Sequence, residues 1–200
     1  MASLAAGLVI GILIALMRLS GQRVLSGIAV FYCWIFRGTP LLVQLLIIYT
    51  GLPLFGIRFS VTQAALIGLA LNEAAYLSEI VRSGISAVGP GQREAGLALG
   101  LSRAQVFRTI TWPQAFRIII PPLGNSVNGL LKTTSVASVI SMEELLRRTQ
   151  ILIQERFLVL ELFIAAAVWY LVMTTVWDLV QRRLEKRYGR AYAGDAAHRR

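Results

Sequence analysis

Cysteine and histidine are almost missing from this 200-residue chain, which has one of each, Cys33 and His198. A lone cysteine closes no internal disulfide, and the two residues together cannot furnish a metal-ligand set, so no metal site is expected. Cys33 reads as a small apolar filler. A lone histidine in a polar terminal stretch offers no Ser/His/Asp constellation, and no catalytic residue is expected either. Charge is scarce as well. Asp, Glu, Lys and Arg make up 15% of the sequence, against about 25% in ordinary soluble domains. There are two lysines, Lys132 and Lys186, and neither follows a glycine. The chain therefore has no G-x-x-x-x-G-K-[ST] cradle for nucleotide phosphates.

Apolar residues are abundant, at 56% of the chain, with a mean hydropathy of +0.66. So little polar surface cannot coat a globule, which argues against a soluble enzyme, and the same figures exclude disorder. The formal net charge of +10 would ordinarily suggest nucleic acid. The basic residues, however, are interleaved between apolar runs. They read as topological signals, and no nucleic-acid partner is expected.

A membrane-crossing helix needs about 20 largely apolar residues. The sequence predicts an all-α, multi-pass membrane protein with about five spans, at 4–17, 41–57, 61–81, 116–131 and 157–180. They form one domain over 1–187, followed by a polar tail, 188–200. The first run is short, as expected if the sequence starts one helical turn late. It does not read as a signal peptide, because no basic residue precedes it and no clear small-residue cleavage site follows. Gly7, Gly11 and Ala15 within it are spaced for close helix contact, or reflect how common glycine is in membrane helices. Residues 26–36 are apolar but too short to cross, and Arg37-Gly38-Thr39-Pro40 breaks the helix after them. Pro121-Pro122 predicts a kink in the fourth span. Three capping boxes are predicted: Ser60 with Gln63, Ser102 with Gln105, and Ser141 with Glu144, the last opening a short helix to Gln150.

Five spans put the termini on opposite sides, and basic residues fix the direction. Fifteen fall on one side: Arg18, Arg23, Arg37, the five arginines between positions 82 and 117, and seven basic residues from Arg182 onward. Arg58, Lys132, Arg147, Arg148 and Arg156 fall on the other. The amino terminus is expected outside and the carboxyl terminus in the cytoplasm.

The connection between positions 82 and 117 predicts two short helices. The first ends before Gly100, a suitable left-handed residue. The second begins at the Ser102 box and stops at Trp112-Pro113. Ala95, Leu99, Val106 and Ile110 would form their apolar side. Here the chain resembles a known family. Glu94-Ala95-Gly96, then Gly100, then Ile110-Thr111-Trp112-Pro113 is similar to the EAA loop of ABC-importer permeases, with Gly96 in place of the second alanine and Trp112 in place of leucine. Four further stretches resemble the polar amino-acid branch of that family: 36–42, 75–82, 113–117 and 121–125. One departure is Thr133, where the family usually has Asp.

The resemblance implies a type I ABC importer permease in a bacterial inner membrane, moving polar amino acids by alternating access. ATP would be bound by a partner, with no cofactor in this chain. Implied partners are two ATPase subunits, a second permease (identical or similar), an extracytoplasmic substrate-binding protein and membrane lipid. Glu94, Ala95, Gly96, Gly100, Ile110 and Pro113 (positions 90–113) would couple to the ATPase.

Ionisable groups inside spans are costly and point to function. Asn72 and Glu73 are expected at a substrate cavity, or Glu73 forms a buried pair or interhelical hydrogen bond. Glu143 and Glu144 are further cavity candidates, although Glu144 also fits its capping box. Glu79 and Arg82 read as an interfacial pair. Two rival readings remain: an ion-gradient-driven secondary transporter of small polar solutes using Glu73, and a non-transporting scaffold.

Overall fold

The computed structural model describes residues 1–189, and His198 and most of the predicted tail lie outside them. Every regular element among the described residues is helical. These are α1 (Ala2–Leu19), α2 (Arg23–Gly38), α3 (Leu41–Phe55), α4 (Val61–Ser86), α5 (Pro90–Ala98), α6 (Arg103–Val106), α7 (Trp112–Thr133), α8 (Leu145–Arg156) and α9 (Val159–Gly189). Three of them, α1, α4 and α9, are each long and apolar enough to cross a membrane.

The hub is α4, whose Ser60–Gln63 capping box forms as predicted. Small residues let α1 lie directly on it. A Cβ added at Gly11 would sit 3.0 Å from both Ala74 O and Leu77 Cβ, and one at Gly7 would sit 3.1 Å from Ala70 O. Ala15 is fully buried on the same face. The register rises together, Gly7 to Ala70 and Gly11 to Ala74, so α1 and α4 run parallel. In contrast, α7 packs antiparallel on α4, with Ala115 and Ile119 against Gly84 and Ser126 against Glu73. Antiparallel again, α9 returns along α7 with Gln181 beside Gly124 and Tyr188 beside Phe116.

Between α1 and α4 the chain climbs once, in two pieces. Helices α2 and α3 meet at 103° and together form one apolar path. Along α4, α2 follows the Leu71–Ser78 stretch: the Tyr32 hydroxyl donates to Leu71 O at 2.6 Å, and Cys33 touches Ser78. Leu45 and Ile48 of α3 pack by Gly68 and Ala64, nearer α4's start. The segment predicted as a lone second span, 41–57, thus shares its crossing with the residues read as too short to cross. Pro40 explains the break. It has no N–H to give the Phe36 carbonyl four residues earlier. Two amides supply the missing bond: Asn72 Nδ2 donates to Phe36 O at 3.0 Å and Gln44 Nε2 donates to it at 2.9 Å.

Two local expectations are corrected. Pro113 does not end a helix. A π turn, Phe107–Thr111, precedes it, and Pro113 falls in the first turn of α7, where a missing N–H is tolerated. Helical backbone therefore continues from Arg103 to Thr133. Pro121-Pro122 lie inside α7, which stays helical through them, and α9 donates to α7 nearby, Trp177 to Gly124 O at 2.8 Å and Gln181 to Pro121 O at 3.4 Å. Ser141 is not an N-cap. It ends a 3-10 turn, Thr134–Ile140, with φ +65°, and Glu144 itself caps α8, which runs on to Arg156.

Overpacking a tight helix contact costs about 1–3 kcal/mol. Gly11→Val should therefore lower the thermal midpoint of the detergent-purified protein by several degrees. Gly27→Val, where an added Cβ meets nothing within 4 Å, is the control for helix propensity and should shift it far less. Equal midpoints for the two variants would overturn the close seam.

Candidate coupling hairpin and polar cavity

The hairpin after α4 is built from local rules. Pro90 opens α5 with its fixed φ, and Gly100 closes it at φ +82°. Leu101 N donates to Gly96 O at 3.2 Å and Gly100 N to Leu97 O at 2.9 Å, the paired bonds of a Schellman motif. Ser102 then starts α6: its hydroxyl accepts from Gln105 N at 3.3 Å, while Gln105 Oε1 accepts from Ser102 N at 2.8 Å. The two helices meet at Gly96. A Cβ there would sit 2.7 Å from Ile110 Cδ1 and 2.9 Å from Val106 Cγ2, so the glycine in the EAA-like triplet lets α5 lie on α6 and the π turn. Arg93 fastens the hairpin to the bundle, donating to Ile85 O in the last turn of α4 at 2.8 Å. Glu94 and Ala95 are exposed, and Leu99 is 81% exposed. Ala95 and Leu99, expected on one apolar side with Val106 and Ile110, are instead exposed at the tip.

An ion cluster joins the helices on the hairpin side of the bundle. Glu79 of α4 accepts from both Arg18 of α1 and Arg82 of its own helix, while Arg37 of α2 stands 3.9 Å away. The Arg37 guanidinium also lies 5.5 Å over the Tyr76 ring. The expected Glu79–Arg82 pair is therefore part of a larger group that the sequence reading did not connect to Arg18.

Beside it opens a cavity of about 790 Å³. Glu73 lies in its wall, with Ser126 of α7 donating to its carboxylate. Asn72, Arg37, Thr39, Asn125 and Thr133 line it too. Asn72 is committed to the backbone break, donating to Gln44 Oε1 as well as Phe36 O, both at 3.0 Å. Glu143 and Glu144 lie elsewhere. Glu143 is exposed before α8. Both carboxylate oxygens of Glu144 bind α8's first backbone N–H groups, and Tyr170 donates to it at 3.0 Å. Ser126 and Asn125 were missed as cavity residues. Their signal was two adjacent polar residues inside an apolar run. Among the described residues no cluster of His, Cys, Asp or Glu could hold a metal ion.

A bundle of apolar helices, an exposed hairpin and a polar cavity together define a solute-permease subunit. The chain belongs to the family of binding-protein-dependent transport system inner membrane components, whose profile matches residues 7–190. It is 44% identical to the probable amino-acid ABC transporter permease YckA of Bacillus subtilis, over 93% of this chain and 82% of that one. It is 41% identical to the glutamine transport system permease GlnP of Escherichia coli, over 92% and 85%. A crystal structure of an amino acid ABC transporter with histidines matches at TM-score 0.89 and 39% identity, over 93% of this chain and 87% of that one. The inward-facing methionine transporter MetNI matches in fold, at TM-score 0.73 and 18% identity, over 94% and 88%.

Removing Glu79 would leave three guanidinium groups facing one another. Its side chain is 27% exposed, so Glu79→Ala should cost about 2 kcal/mol, less than the 3–5 kcal/mol of a fully buried pair. Adding Arg18→Leu in that background should recover part of the loss. Strict additivity of the two changes in thermal unfolding would dissolve the cluster as an energetic unit.

Proposed function

We propose that this chain is the membrane-embedded permease of an ATP-driven importer for polar amino acids, acting in a bacterial inner membrane. It pairs with an identical or similar permease, two ATPase subunits and an external binding protein. The amino terminus lies outside and the carboxyl terminus in the cytoplasm, so the hairpin faces the ATPase. The domain is 1–187 with its tail beyond.

The observation that carries this reading is the hairpin. Its tip presents Glu94, Ala95 and Leu99 outward, while Gly96, Arg93 and the Gly100 turn fix its shape from behind. Glu94 contributes the charged contact, Ala95 a small surface for close approach, and Ile110 and Pro113 the base on which the tip stands. Helical backbone from α6 into α7 carries the motion of the tip to Asn125 and Ser126 at the cavity, a route for alternating access.

The cavity chemistry agrees with the cargo class. The Glu73 carboxylate suits an ammonium group, and Arg37 with nearby amides and hydroxyls suits a carboxylate. A secondary transporter would use Glu73 as a proton site, but the docking hairpin has no purpose in such a carrier. Glu143 and Glu144 carry no role in this proposal.

In proteoliposomes holding the assembled importer, uptake should require ATP and persist when ion gradients are collapsed. Gradient-driven uptake without ATP would favour the carrier instead. Glu94→Lys or Gly100→Val should leave the permease inserted but strip the ATPase during co-purification, since a β-branched residue resists φ +82°. Normal ATPase recovery with both variants would refute the docking role. Glu73→Gln should weaken uptake of a cationic amino acid about tenfold, the effect of about 1.4 kcal/mol. Unchanged kinetics would return Glu73 to a purely structural bond with Ser126.

A further inference from the structure

A second cavity, of about 630 Å³, opens away from the hairpin tip, between the end of α1 and the hairpin's inner side. We propose that it seats one anionic phospholipid, with the phosphate between Arg93 and Arg103 and an acyl chain along Leu16, Leu19 and Phe107. This rests on the reading that the hairpin lies at the cytoplasmic membrane face.

Position is the first argument. The cavity sits where α1 and α4 reach their last turns, at Leu19 and Ile85, the level at which spans leave the hydrocarbon. Charge is the second. Two arginines line it and no carboxylate does. One nitrogen of Arg93 is committed to Ile85 O, while its buried Nε has no hydrogen-bond partner. Basic pockets between helices at this face are suited to anionic headgroups. The apolar lining is the third. Leu16, Leu19 and Phe107 are each 39–45% exposed. A free phosphate would leave that surface bare, whereas an acyl chain covers it. The ATPase is the poorer occupant, because the proposed docking residues Glu94, Ala95 and Leu99 do not line this cavity. A lipid here would brace α1 against the hairpin and make coupling sensitive to the anionic content of the inner leaflet.

Native mass spectrometry of the detergent-purified importer, equilibrated with phosphatidylglycerol or phosphatidylcholine, tests this. Wild type should retain phosphatidylglycerol in preference to phosphatidylcholine. Arg103→Glu should cut that retention about tenfold, and a new acid in the first turn of α6 suits the helix dipole, so folding is spared. Leu19→Trp, which fills the apolar floor, should cut it as well. Equal retention of the two lipids, or undiminished phosphatidylglycerol in both variants, would overturn the proposal. So would loss of the ATPase from Arg103→Glu with the lipid still bound, which would assign the slot to a protein. A wild-type preparation that holds phosphatidylglycerol but no ATPase would support the lipid site while defeating the coupling reading.

Discussion

Gly7 and Gly11 bring the backbone of α1 onto Ala70 and Ala74 of α4, closer than a larger side chain permits. Much of the architecture depends on that seam. Because the two helices run parallel, the chain must make an odd number of crossings between them. The available segments, α2 and α3, are each short, so they combine into one bent crossing. The bend exposes backbone groups where water is scarce, and a membrane tolerates that only when protein groups satisfy them. Asn72 and Gln44 do so at Phe36 O. The same seam delivers Arg18, at the end of α1, to Glu79. Close packing, the broken crossing and the ion cluster are consequences of one contact.

The continuity of helical backbone from Arg103 to Thr133 gives the hairpin mechanical meaning. A helix that stopped at Pro113 would leave a flexible joint between the tip and the bundle. The π turn, Phe107–Thr111, keeps the chain helical through the proline. Behind the tip, Arg93 pins α5 to α4. A force on the tip therefore reaches two helices, α4 with Glu73 and α7 with Ser126, which are hydrogen-bonded to each other across the cavity wall. Relative motion of α4 and α7 must strain or break that bond, which is how the proposed coupling would reach the cavity.

The extent to which the sequence disclosed this structure follows from the range of each interaction. Long helices were legible because apolar run length is a property of composition and continuity. The Gly100 turn and the Ser60 and Ser102 caps were legible because each is settled within four residues. The Ser141 box failed although its pattern was equally good. Ser-x-x-Glu permits capping by the serine or, in a shifted register, by the glutamate. The 3-10 turn and the Tyr170 contact from α9 favour the second. Leu99 was misplaced because its position at the end of α5, rather than helical periodicity, sets its direction. The Arg18–Glu79 bond was out of reach, since it joins residues 61 positions apart through a seam whose register no local pattern specifies. Ser126 was missed for the same reason: the adjacent polar pair Asn125-Ser126 marks a polar spot in an apolar helix, but not that the facing residue is Glu73.

Polar side chains inside this bundle therefore divide by what they satisfy. Asn72 and Gln44 repair a backbone break, Gln181 and Trp177 serve carbonyls of the proline-containing helix, and Glu79 neutralises part of an arginine group. Each has a local debt that its position explains. Glu73 differs. Its recorded partner is one serine hydroxyl, it sits beside a cavity large enough for a small solute, and it is not among the ion pairs of the cluster. In the proposed importer, a carboxylate held by so little is poised for a cationic group that comes and goes. In that assembly this chain contributes such a site and a handle, and a partner ATPase does the work of emptying it.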